Sequence, residues 1–299
     1  MSQSARTSLE RGTLKGSRPP REGLRRASSP VAHALVHGLR AFPTLFRVGF
    51  AEMVAYRTEF LIWILTTNMP LVMMGLWTAV ASEGPVGRFG KDRFVAYYLA
   101  TLIVRLLTST WMVWELTMEI RQGTLATRLL RPLHPLLAYL AQHLAAVPLR
   151  ALITSPLMLV LALVSGAQLT VRDPLHLAIL LMSLVGAWLI LFLMMAIVGS
   201  LALFVDSAIG VFEIWLGLHF LLSGYLIPLE LLPGWVARIA HVLPFRYTLS
   251  FPVETVIGLH PAGQLLHDLG VQWLYVVTLL AITLAVWRAG MRRFVAFGG

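Results

Sequence analysis

The chain has 299 residues, of which 58% are hydrophobic and 13% charged, about half of the roughly 25% charged share of a soluble domain. A water-soluble fold could not hide that much apolar surface, because its exterior needs polar cover, so lipid must solvate much of it. The formal charge is +10, yet ten of the 24 Lys and Arg lie in residues 1–57, which is the pattern of a topology signal attracted to anionic lipid rather than of a nucleic-acid surface.

Residues 1–30 mix Arg, Ser, Gly and Pro with few large apolar side chains and read as a disordered, basic cytoplasmic tail. No apolar core with a small-residue cleavage site follows, so they are not a secretory signal. Residues 31–299 read as a single membrane domain. It opens with an amphipathic stretch from Val31 to Tyr56, in which Leu35, Leu39, Phe42, Phe46 and Phe50 recur at three and four among His37, Arg40 and Arg47. This spacing predicts an elbow helix lying on the cytoplasmic membrane face, kinked or divided at Pro43.

Six apolar stretches follow, Phe60–Ala81, Phe94–Leu116, Ala151–Ala167, Leu175–Phe204, Ile209–Ile227 and Leu269–Trp287. Each is read as a membrane span, for which about 20 helical residues suffice. The third is short and carries Pro156. Between the last two lies Pro228–Gly258, with Pro228, Pro233, Pro244 and Pro252 among Trp235, Phe245, Tyr247 and Phe251. It is too broken for a span and too apolar for a loop, so it is expected to dip into the outer leaflet. With the amino terminus inside, inside segments hold 17 Lys and Arg and outside segments six. Both termini are therefore expected in the cytoplasm.

The most informative loop runs from Glu119 to Pro135. Leu125, Leu129, Leu130 and Leu133 share one helical face, while Arg121, Thr124, Thr127, Arg128 and Arg131 lie largely elsewhere. Gly123 permits a sharp turn out of the second span, and Pro132 and Pro135 help to end the short helix. Periodicity alone makes this an interfacial helix anchored by its leucines.

Charges near the spans are the other candidates. Arg105 sits in mid-span, where a cation is costly unless it has a buried partner, such as Glu115 or Glu213, or a polar cavity. An interhelical clamp and a translocation-path lining both remain open for it. Glu213 is placed to snorkel to the cytoplasmic boundary, and His219, deeper in the fifth span, suits a hydrogen-bonded packing role. Enzyme readings find little support. Cysteine chemistry is excluded because there is no cysteine. His33 and His37 lack a nearby Glu to complete a zinc pattern, and no Gly-x-Ser-x-Gly elbow occurs. Met73, Met74, Met194 and Met195 suit packing rather than metal binding.

Two runs of residues carry a resemblance. Glu119-Ile120-Arg121-Gln122-Gly123, followed by Leu129-Leu130-Arg131-Pro132-Leu133, looks like the cytoplasmic coupling region of ABC exporter permeases of the type 2 superfamily. Leu222-Ser223-Gly224-Tyr225-Leu226-Ile227-Pro228-Leu229, then Pro233-Gly234-Trp235 and Leu243-Pro244-Phe245, resembles the end of span five and the re-entrant outer segment of the same permeases. The resemblance spans roughly residues 35–297, and the order of features agrees with it.

The resemblance implies an all-α membrane protein with six spans, an elbow helix, a coupling helix and a re-entrant segment marked by Gly224, Pro228, Pro233, Trp235 and Pro244. It implies a permease subunit in a bacterial inner membrane, moving a substrate outward by alternating access. Two copies of a separate ATPase would bind ATP and Mg, and a second permease copy or a homologous permease would complete the complex. Glu119, Arg121, Gly123, Leu125, Arg128, Leu129, Arg131 and Pro132 would form the coupling region, with Arg128 and Arg131 donating to acidic groups on the ATPase. No GxxxxGK[ST] loop is present in the sequence, and the inside loops are too short for an ATPase domain. No cofactor is expected in this chain. The rival class, an ion-gradient-driven secondary transporter or channel, favours carboxylates at mid-depth and internal repeats. Here the carboxylates lie near span ends and no repeat is visible.

Overall fold

The computed structural model describes residues 30–55, 68–131, 133–165, 173–205 and 208–294. The basic tail, the start of the first expected span and Pro132 lie outside the described residues. Regular structure among those described is helical, apart from an isolated bridge between Val86 and Phe89. Helices follow from the composition, because in hydrocarbon the backbone must satisfy its own hydrogen bonds.

The chain begins with α1 (Pro30–Ala55), which runs through Pro43 without being divided there. It packs on α6 (Pro135–Ala145), with Gly49 buried against Gln142 and Ala145. Between them in sequence come α2 (Met69–Val80), α3 (Lys91–Thr108), α4 (Met112–Gln122) and the short α5 (Leu125–Leu129). After α6 follow α7 (Val147–Ser165), α8 (Pro174–Ser200) and α9 (Ala208–Leu222). Two short helices, α10 (Gly234–Val242) and α11 (Ser250–Val256), precede the final α12 (Ala262–Met291).

Among the described residues four stretches are long and apolar enough to cross a membrane: Lys91–Gln122, Pro135–Leu161, Pro174–Leu203 and Ala262–Met291. Met69–Val80 and Ala208–Leu222 are shorter apolar helices, and they occupy the positions of the first and fifth expected spans. Two expectations need correction. The second span is not one rod, since Ser109, Thr110 and Trp111 separate α3 from α4. The third is not short. It begins at Pro135, with α6 and α7 meeting at Ala146 just before Pro148, which has no amide hydrogen to donate back to the preceding turn. Pro156 lies inside α7.

The core is organised around α8, which touches α3, α4, α9, α11 and α12. Its Ala187, Ile190 and Ala196 are wholly buried. Gln272 of α12 reaches back and donates through Nε2 to the carbonyls of Ser183 and Tyr247, each at 2.9 Å. This side chain thereby joins α12, α8 and the irregular segment after α9. Ile214 at 69% exposure and Leu274 at 66% belong to outward faces, as expected where lipid is the solvent.

Candidate functional site

Three polar clusters interrupt this apolar body. The first lies where α4, α5 and α6 meet. Gly123 turns the chain out of α4 at φ +74°, in the left-handed region that glycine adopts without steric cost. The turn folds α5 back so that Arg128 points at α4. Its Nη2 lies 2.8 Å from Glu115 and 2.6 Å from Glu119, while Nε donates to Glu119 at 2.9 Å. The two carboxylates stand one helical turn apart on α4, the spacing that brings side chains onto a common face. Tyr139 of α6 donates to the other Glu119 oxygen at 2.6 Å, and its ring lies 4.2 Å beneath the guanidinium. His143 of α6 is 3.3 Å from Glu115.

This cluster redirects two expectations. Arg128 does not point outward to donate to another subunit. It is turned inward and fastens α5 to α4 and α6. Burial lowers its pKa, but the hydrogen bond and charge of Glu119, with Tyr139 and Glu115, outweigh burial and raise it above the ordinary arginine value. Glu115 is not the partner of Arg105. The leucines of α5 and its C-cap, Leu130, also divide. Leu125 is fully buried and Leu129 packs on the core, whereas Leu130 is 86% exposed. Arg121 and Arg131 are exposed as well. A cleft of about 270 Å3 beside the cluster is bordered by Gly49 and Glu52 of α1 and by Thr124, Thr127 and Arg131.

The second cluster surrounds the break between α3 and α4. The Ser109 carbonyl, freed by the break, accepts from Nη1 of Arg150, a buried side chain of α7 that its sequence context assigns to an inside loop. The Arg105 guanidinium lies 4.9 Å from the Tyr225 ring centroid and 5.7 Å from that of Phe220. Among the described residues it forms no ion pair. His219 of α9 is buried, stacks on Trp215 at 5.0 Å, and has Nδ1 at 3.5 Å from the Thr248 hydroxyl. Glu213 is exposed on the outward face of α9, beside Ile214.

The third cluster holds the segment between α9 and α12. Gly224 has φ +87°, and its carbonyl accepts from the Tyr97 hydroxyl at 2.7 Å. The next turn is held by Tyr98 at 2.9 Å and Trp77 at 3.2 Å, both donating to the Leu226 carbonyl. Pro228 and Pro233 precede the short helical turns Leu229–Leu231 and Gly234–Val242, as expected of residues with a fixed φ. Trp235 is 65% exposed on α10, and Pro244 leads into the turn Arg246–Thr248. Arg246 is buried between two carboxylates, Glu254 at 2.9 Å and Asp268 at 2.8 Å. Ser250 donates to the second Glu254 oxygen at 2.7 Å, and His260 lies 3.4 Å from Glu254. Sequence reading treated Arg246 as an outer-loop charge and did not single out Glu254 or Asp268. A sequence signal existed, since three charges within 23 residues of an otherwise apolar region need one another.

Helices of spanning length packed around α8, with exposed apolar outward faces, define a multi-pass α-helical membrane protein. The family model for ABC-2 family transporter protein matches residues 60–298. The chain therefore belongs to the ABC-2 transporter family, a membrane component that works with an ATPase subunit. The match begins after α1, which lies outside it. No curated protein and no solved structure matches the chain.

Proposed function

We propose that this chain is the permease subunit of an ATP-driven exporter, coupled to its ATPase through α5. The observation that carries the reading is the two-sided character of this short helix. Leu130 stands 86% exposed, an apolar knob of the kind that fills a partner's pocket. One position on the other face, Arg128 is fastened to two carboxylates of α4 and braced by Tyr139 of α6. A push on the knob therefore reaches α4 and α6, the adjoining ends of two candidate spans, through charge-assisted bonds rather than through a loose loop.

In this reading α5 faces the cytoplasm with both termini, as the distribution of Lys and Arg supports. ATP binding by two partner subunits closes them against α5. The spans then rock around a path between two permeases, either identical or homologous. ATP and Mg belong to the partner. Affinity purification in mild detergent tests the reading. An ATP-binding protein should accompany the native chain, and its hydrolysis should depend on the complex. Hydrolysis by the isolated chain, or a partner that binds Leu130→Asp as well as it binds the native chain, would refute the reading.

A further inference from the structure

The break between α3 and α4 leaves an unusual set of side-chain atoms without partners. Arg105 Nε, Ser109 Oγ, Thr110 Oγ1 and Trp215 Nε1 are buried and make no hydrogen bond among the described residues. All four carry a proton to donate. They converge on one cavity of about 30 Å3, which His219 also lines and no carboxylate enters. Ser109 and Thr110 are 7% and 5% exposed, so neither hydroxyl can turn to bulk solvent.

Among the described residues no carboxylate answers these groups. Glu115, on the same span, is taken by Arg128 and His143. The Ser109 carbonyl is taken by Arg150. Glu213 faces outward on α9. Arg105 is flanked by the rings of Phe220 and Tyr225 and hydrogen-bonds the Tyr225 side chain, a neutral acceptor that leaves Nε without a partner and the charge uncompensated among the described residues. Elsewhere in the fold arginines are answered by acids, Arg128 by two and Arg246 by two. Here the missing component is an acceptor with negative charge.

We propose that this pocket is an anion site. Arg105 supplies the charge, and Ser109, Thr110 and Trp215 supply neutral hydrogen bonds to one small acidic group. A space of this size admits about one water-sized group. It therefore holds only the head of a ligand, a halide ion or one oxygen of a carboxylate, while any organic remainder lies outside it along Phe220 and Tyr225. That the ligand is cargo rests on the permease reading; that the pocket takes an anion does not.

Trp215 provides a local reporter. The purified full chain in nanodiscs of neutral phosphatidylcholine is titrated with iodide at constant ionic strength, and tryptophan emission is followed. The native chain should show a saturable component of quenching above the linear collisional one, and caesium should produce none. The saturable component should shrink in Trp215→Phe to the share reported by Trp111, which lines the same cavity, and its affinity should weaken about tenfold or more in Arg105→Gln, while Arg105→Lys, which keeps the charge, stays within about threefold. Should Arg105→Gln fail to fold, Thr110→Val carries the test, with a weakening of about three- to tenfold for one lost hydrogen bond. Competition then distinguishes the sources. Displacement of iodide by dodecanoate at far lower concentration than by acetate assigns the acidic head of an amphiphile. Equal potency of acetate, chloride and dodecanoate assigns a small inorganic or organic ion. Absence of a saturable component, its persistence unchanged in the Arg105 and Thr110 variants, or displacement by dodecanol as effective as by dodecanoate would each overturn the anion site. No ATPase takes part, so the outcome is independent of whether a partner subunit is found.

Discussion

Replacing Arg128 with Leu tests the link between α5 and the spans. The substitution removes the cation from between Glu115 and Glu119, leaving two carboxylates one turn apart that no longer share a counter-charge. Breaking a fully buried pair costs about 3–5 kcal/mol. Here the side chains of Glu115 and Glu119 retain 25% and 17% exposure, so water recovers part of that loss and about 2 kcal/mol is the reasonable share. The ring contact with Tyr139 at 4.2 Å adds about 0.5–1 kcal/mol. In a chain of this size such a loss lowers the thermal midpoint by about 5–10 °C. It is measured by tryptophan fluorescence on the purified chain in mild detergent. Adding Glu119→Gln should recover about half of the loss, because it removes one of the stranded charges. The sign of any pH dependence follows from the raised pKa of Arg128. A cation stabilised by folding contributes fully below its unfolded pKa and loses that contribution only as pH rises through the folded value. Both lie far above neutrality, so the difference between native and Arg128→Leu should not change between about pH 6 and pH 9 on account of the guanidinium itself. A variant with the native midpoint, or a double variant no more stable than the single one, would refute the strut.

Leu130→Asp should leave the thermal midpoint within about 1 °C of native, since the side chain is 86% exposed, while abolishing partner-dependent ATP hydrolysis and copurification. Leu129→Asp should instead destabilise the chain by about 1–3 kcal/mol, because Leu129 packs on the core, and circular dichroism with heating separates the two. Gly224→Ala should cost about 1–2 kcal/mol for the left-handed backbone alone. It should cost more in practice, because the new Cβ would meet the Tyr97 hydroxyl at 2.6 Å; a native yield of monodisperse protein would contradict this. Arg246→Leu strands Glu254 and Asp268 at 3% and 6% exposure and should cost about 3–5 kcal/mol, read as loss of the folded peak in size-exclusion chromatography.

Much of the helical architecture was legible because the apolar stretches are long and their prolines are spaced. The segment from Pro228 to Gly258 could be read as short turns from the four prolines alone, and the structure builds two short helices and two 3-10 turns there. The short helix α5 was legible in its position but not in its facing. With only five residues, its pattern cannot say which of the adjacent Leu129 and Leu130 turns outward. The answer depends on Arg128 being drawn toward carboxylates nine and thirteen residues earlier. The break at Ser109–Trp111 carries neither Gly nor Pro, the residues that usually mark one. What stabilises it is Arg150, 41 residues further on, and a contact of that range leaves no local pattern.

The arginines also show how one residue type is resolved differently along one apolar bundle. Burying a guanidinium is unfavourable unless its donors find acceptors, and Arg128 and Arg246 each find two carboxylates brought by another helix. Both are closed structural units: one guanidinium is shared by two carboxylates, and removing it leaves both stranded. Arg150 finds a carbonyl that a helix break has released, so the break and the arginine answer one another and neither is explained alone. Arg105 has been given aromatic faces, a hydrogen bond to the neutral Tyr225 side chain and neighbouring neutral hydroxyls, and among the described residues no group of opposite charge. A bundle that supplies acids to two arginines and a carbonyl to a third has the means to neutralise a fourth, for a single Leu→Asp substitution on α9 would suffice to place an acid near it. Leaving the charge unanswered is costly unless something from outside the chain completes the site. That is the reason to look for the ligand at Arg105 rather than at the better-populated clusters at the two ends of the bundle.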